Sequence, residues 1–77
     1  MMQHSLSIQA RFRPEVIERI LRVVRHRGFE LYALNMTQCQ NNENIHIHLT
    51  VSSKRSVNLL SAQLSKLIDI SYVEIQQ

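Results

Sequence analysis

The chain has 77 residues, 44% hydrophobic and 19% charged, with a formal net charge of +3. That length holds one domain spanning residues 1–77, with no room for a catalytic and a regulatory domain together, and the composition is that of a folded rather than a disordered chain. No apolar run approaches the roughly 18 residues of a membrane span. The N-terminal MMQHSLSIQA lacks the basic and apolar regions of a secretion signal, so a cytoplasmic address is expected.

Residues 4–12 alternate, with Leu6, Ile8, Ala10 and Phe12 on one side and Ser5, Ser7, Gln9 and Arg11 on the other, the pattern of a half-buried strand. A helix is expected from Pro14, whose missing N–H suits the first helical position, to Arg27, just before Gly28, where a left-handed residue commonly closes a helix. Ile17, Ile20, Leu21 and Val24 form its apolar stripe. Glu15–Arg19 and Glu18–Arg22 are spaced as i, i+4 pairs in the favourable order.

FELYALNMT, residues 29–37, reads as a second strand whose alternation changes face, so that Tyr32, Leu34 and Met36 follow Phe29, Leu31 and Ala33. Either a bulge shifts the register or both faces are covered. QCQNNEN makes a turn in which Asn41 and Asn42 can adopt positive φ. NIHIHLTV, residues 44–51, is the cleanest strand, setting Ile45, Ile47, Leu49 and Val51 against His46, His48 and Thr50. Ser53 is the expected N-cap of a second helix with the stripe Val57, Leu60, Leu64 and Leu67, running to about residue 69. ISYVEIQ closes the chain as a strand with Val73 and Ile75 inward. The order βαββαβ predicts an α+β, ferredoxin-like fold: a four-stranded antiparallel sheet with both helices on one face and the first and third strands central.

Little in the chain points to chemistry. There is no Gly-x-Ser-x-Gly elbow, no carboxylate pair, and a single glycine excludes a Gly-rich phosphate loop. No catalytic residue, cofactor site or metal site is assigned. His46 and His48 share a strand face but supply only two of the three or four ligands zinc requires, and they read as exposed polar positions. Cys39 has no partner cysteine and reads as a free thiol. Arg19, Arg22, Arg25, Arg27 and His26 make the first helix basic. A nucleic-acid surface and a solvated face laced with Glu15 and Glu18 compete, and the laced charge favours the second. No nucleic acid or membrane partner is expected. Tyr32, Leu34 and Met36 fit core packing around a bulge or a protein interface, since apolar side chains on a second sheet face mark a partner. The interface is the working hypothesis.

ARFRPEVIERILRVVRHRGFELYALNM, with MMQH before it and LTVSSKRSVNLLSAQLSKLID after it, resembles the ACT domain, and in particular the small regulatory subunits of acetolactate synthase of the short isozyme II group. The resemblance implies a subunit that does no chemistry itself. It would bind a catalytic subunit using thiamine diphosphate, FAD and magnesium, and raise its activity in branched-chain amino acid biosynthesis. It also implies pairing of two ACT domains as a homodimer. The family's effector loop corresponds in this chain to Phe12, Arg13, Pro14, Glu15 and Val16. Where the family carries an Asn and, three residues on, a Gly that approach bound valine, this chain has Phe12 and Glu15. Phenylalanine lacks the amide, and glutamate sets a like charge near the ligand carboxylate, so a degenerate loop and weak or absent valine binding are expected.

Overall fold

The computed structural model describes residues 2–40 and 43–76, as β1 (Met2–Arg11), α1 (Val16–His26), β2 (Glu30–Gln38), β3 (Asn44–Ser53), α2 (Val57–Leu64) and β4 (Ile70–Gln76). The strands form one antiparallel sheet in the order β2-β3-β1-β4, so β1 and β3 are central, the placement expected from the βαββαβ order and one that the two alternating stretches fit. Asn41 and Asn42 lie outside the described residues.

Directly opposed residues of an antiparallel ladder share a face. Leu6 opposes Leu49 and Ile75, and Ile8 opposes Ile47 and Val73, so these rows form one apolar face. Val16, Ile20 and Val24 of α1 and Leu60 and Leu64 of α2 close over it, buried with Ala10, Ile45, Val51 and Phe29. Each buried leucine or isoleucine contributes about 1.5–3 kcal/mol relative to exposure. The α1 stripe is rotated from the expected one: Val16 joins the core, while Leu21 is only half-buried at its margin.

Gly28 terminates α1 as expected, at φ +81°. Its N–H bonds the Arg25 carbonyl at 3.1 Å, and the Phe29 N–H bonds the Val24 carbonyl at 3.0 Å. This is the Schellman pattern, completed by burial of both Phe29 and Val24. The start differs. Pro14 is not the first helical residue but lies in a turn closed by the Val16 N–H on the Arg13 carbonyl (3.1 Å), where proline's fixed φ is equally suited, and the helix begins at Val16.

Two further boundaries are corrected. Ser53 is the last residue of β3, not a helix cap. Ser56 caps α2, accepting from the Asn58 N–H at 3.3 Å. α2 ends at Leu64 rather than near residue 69. The Lys66 and Leu67 N–H groups then bond the carbonyls three residues back, so a tightened turn carries Leu67 to the core in place of a further helical turn. Phe12 also leaves its expected inward position. β1 stops at Arg11, and Phe12 is 54% exposed in the connection to α1.

Candidate effector loop and interaction surfaces

The β1–α1 connection is tied down by one residue that the sequence pattern does not single out, Asp69. Its backbone carbonyl accepts from the Arg11 N–H at 2.9 Å, and its carboxylate pairs with Arg13 Nε at 3.1 Å and more loosely with Arg19 Nη1 at 3.8 Å. Asp69 is 8% exposed, while both arginines are about half exposed. The Phe12 N–H bonds the Glu43 carbonyl at 2.9 Å, joining the loop to the start of β3. Between them lies an open groove of about 450 Å³, lined by Arg11, Phe12, Arg13, Glu43 and Asn44.

The five residues of the expected effector loop therefore have different environments. Phe12 and Arg13 line the groove, with Arg13 engaged by Asp69. Pro14 shapes the turn, and Glu15 caps α1 with helical backbone angles but makes no side-chain capping bond. Val16 is a core residue. The groove brings together cationic, carboxylate, amide and aromatic groups, but no nucleophile with an adjacent base.

On β2 the register slips between Leu31 and Ala33, making Tyr32 the extra residue of a bulge. Before it Leu31 opposes Val51, and after it Leu34 opposes Leu49 and Met36 opposes Ile47. Leu31, Leu34 and Met36 thus share the helix-covered face of the sheet, so of the two expected alternatives it is the bulge that accounts for the change of face. Leu34 packs against the core, whereas Tyr32 and Met36 are 58% and 48% exposed. β2 is an edge strand.

The other face of the sheet is polar. Ser7 opposes His48 and Glu74, Gln9 opposes His46 and Tyr72, and a hydrogen bond of 2.6 Å joins Ser7 Oγ to His46 Nε2. His46 and His48 are half-buried there rather than simply exposed. His4 opposes Val51 and so lies on the opposite face from both. Among the described residues, no three His, Cys, Asp or Glu side chains come together, and no helix is long and apolar enough to cross a membrane.

The charge on α1 is not laced as expected. Arg19 reaches Asp69 instead of Glu15, and among the described residues neither Glu15 nor Glu18 forms an ion pair with the arginine one turn on. The burial of Asp69 explains the choice. Its backbone is fixed by the Arg11 N–H and its side chain is buried, so pairing with it costs less side-chain freedom than ordering two exposed chains.

A model of the ACT domain matches residues 12–73. The chain belongs to the ACT-domain family. Among curated relatives of this ACT domain, the acetolactate synthase isozyme 2 small subunit of Escherichia coli K12 is 54% identical over 77 residues, 100% of this chain and 88% of that protein. The same figures hold for the protein of that description from Shigella flexneri. This places the chain in the family of acetolactate synthase small subunits. Among solved structures, the acetolactate synthase small subunit of Thermotoga maritima superposes with a TM-score of 0.84 at 16% identity, covering 97% of this chain and 47% of that one. The ACT domain of a Chlorobium tepidum GTP pyrophosphokinase gives 0.81 at 13%, covering 97% of each. At such identities the superpositions show the shared βαββαβ fold alone.

Proposed function

We propose that this chain is a non-catalytic regulatory subunit that binds the catalytic subunit of acetolactate synthase and raises its activity in branched-chain amino acid biosynthesis. The observation that carries this reading is the 54% identity to an isozyme 2 small subunit over the whole of this chain. Thiamine diphosphate, FAD and magnesium then belong to the catalytic subunit, and the complex is cytoplasmic. Activation acts by population shift, with binding favouring an active conformation by as much as its differential affinity for the two states.

Valine insensitivity is part of the proposal. Phe12 and Glu15 stand at the family's effector-loop positions, and Arg13, one of the two cations that line the groove, is paired with Asp69. We also propose that two copies pair through the β2 edge around Tyr32 and Met36, with Leu34 supporting the strand from the core side. An edge strand with exposed apolar side chains is a ready surface for a second chain.

Mixing the chain with a purified acetolactate synthase catalytic subunit is expected to give a complex by size-exclusion chromatography and a higher turnover, unchanged by added valine. Absence of both complex and activation would overturn the reading. Saturable sub-millimolar valine binding by calorimetry would overturn the insensitivity alone.

A further inference from the structure

We propose that the end of the molecule where α1 stops and α2 begins docks an acidic patch of a protein partner. Arg22, Arg25, Arg27, Lys54 and Arg55 are gathered there, all exposed, on the last turns of α1 and the β3–α2 connection. The fold assembles them through specific contacts. Ser53 Oγ donates to the Gly28 carbonyl at 3.0 Å and accepts from the Arg55 N–H at 3.0 Å, joining the two connections. The Arg55 side chain lies over Gly28, with its Nε 3.1 Å from where a Cβ would stand. Arg27 Nη2 donates to Gln63 Oε1 at 3.0 Å.

None of these five cations forms an ion pair among the described residues, in contrast to Arg13 and Arg19 at the other end of α1. Glu30 lines the same groove as Lys54 and Arg55 without pairing to either. The carbonyls at the end of α1 account for positive charge at Arg25 and His26, because the helix dipole favours cations there. The dipole of α2, a helix with no acidic residue in its first turn, disfavours a cation just before its cap, where Lys54 stands, whereas the Arg55 side chain reaches over Gly28 to the carbonyl end of α1. Five exposed cations without an ion pair among the described residues, two of them already held in position, are suited to an external carboxylate partner.

The apolar residues at this end select a protein over a nucleic acid. Arg25 shares a groove with half-buried Leu21 and exposed Leu31, the combination of apolar centre and arginine typical of protein interfaces. Of the aromatic rings lining this groove and its two neighbours, Phe29 is buried and the exposed one is the imidazole of His26, so these grooves offer no Phe, Tyr or Trp for a base to stack on.

The test rests on the regulatory-subunit reading and uses the full chain with a purified acetolactate synthase catalytic subunit. Two double variants, Arg22→Glu with Arg25→Glu and Lys54→Glu with Arg55→Glu, are titrated for turnover beside Lys66→Glu, a cation near the opposite end. Thermal melting checks that each is folded, and the first pair keeps the test decisive if altering Arg55 disturbs the contact with Gly28. Each folded pair is expected to raise the half-saturating concentration about tenfold or more, with Lys66→Glu unchanged. Raising salt from about 50 to about 300 mM is expected to weaken the unaltered chain more than the variants. Unchanged half-saturation in a folded pair would overturn the proposal while leaving the regulatory reading intact. Failure of the unaltered chain to bind would overturn both. Loss of binding to an RNA or duplex DNA oligonucleotide, with subunit binding retained, would reassign this end to nucleic acid and overturn it too.

Discussion

Asp69 is the residue on which the β1–α1 connection most depends. It is the buried partner of two half-exposed arginines, so its removal strands no buried cation, and solvent screens part of what is lost. Asp69→Asn keeps the shape and an acceptor oxygen while removing the charge. We expect it to cost about 1 kcal/mol, and to lower the melting temperature by about 4–8 °C for a domain of this size. The difference should shrink in high salt, because the arginines remain solvated. Equal melting temperatures at low salt would show that the backbone contacts of the loop suffice without the carboxylate. None of this is legible along the chain. Asp69 falls in a segment that continues a helical stripe, and its partners lie far away in sequence. The i, i+4 spacing that pairs Arg19 with Glu15 describes a local option that a tertiary partner displaces.

At the scale of elements, signals carried by backbone constraints transfer well. Gly28 is readable as a helix terminus because a positive φ is costly for any residue with a Cβ, and the Schellman bonds form around it. The alternations of β1 and β3 mark both as strands with one buried face, because a two-residue period needs no partner to be recognised, and the βαββαβ order then makes them central. Hydroxyl roles are less legible, since any of several serines can cap. The spacing favours Ser53 as the start of α2, yet it ties the Gly28 carbonyl to the Arg55 N–H, while Ser56 makes one longer capping bond. Ser53→Ala removes both bonds of a buried hydroxyl, whose partners are part-buried, and should cost about 1–2 kcal/mol. Ser56→Ala should cost only about 0.5–1 kcal/mol. Urea unfolding of the two variants checks the order, and a larger loss for Ser56→Ala would make the cap, not the tie to Gly28, the stronger of the two contacts. The β2 bulge shows the same limit from another side. The sequence marks a change of face but not which residue is skipped, and that choice of Tyr32 moves Leu34 onto the core. Leu34→Asp would therefore report on the fold more than on any surface.

For the whole molecule, the question is whether one chain is the folding unit. A domain of this length has on the order of 4–11 kcal/mol of stability, and its β2 edge exposes Tyr32 and Met36 where a second copy could pair. If two copies pair there, folding is linked to association and stability depends on concentration. A hundred-fold dilution then removes about 2.7 kcal/mol per dimer, which for a unit of two such chains corresponds to about 5–10 °C in melting temperature. Tyr32→Glu separates association from folding. Tyr32 is well exposed in the single chain, so the substitution disturbs little of the monomer, but it buries a charge wherever a partner strand covers it. The unaltered chain should melt lower on dilution and sediment above the 9.0 kDa of one copy. The variant should sediment as one copy and melt at a temperature independent of concentration. A chain that sediments as a monomer at every concentration would remove β2 as a self-association edge, leaving Tyr32 and Met36 available to a different partner.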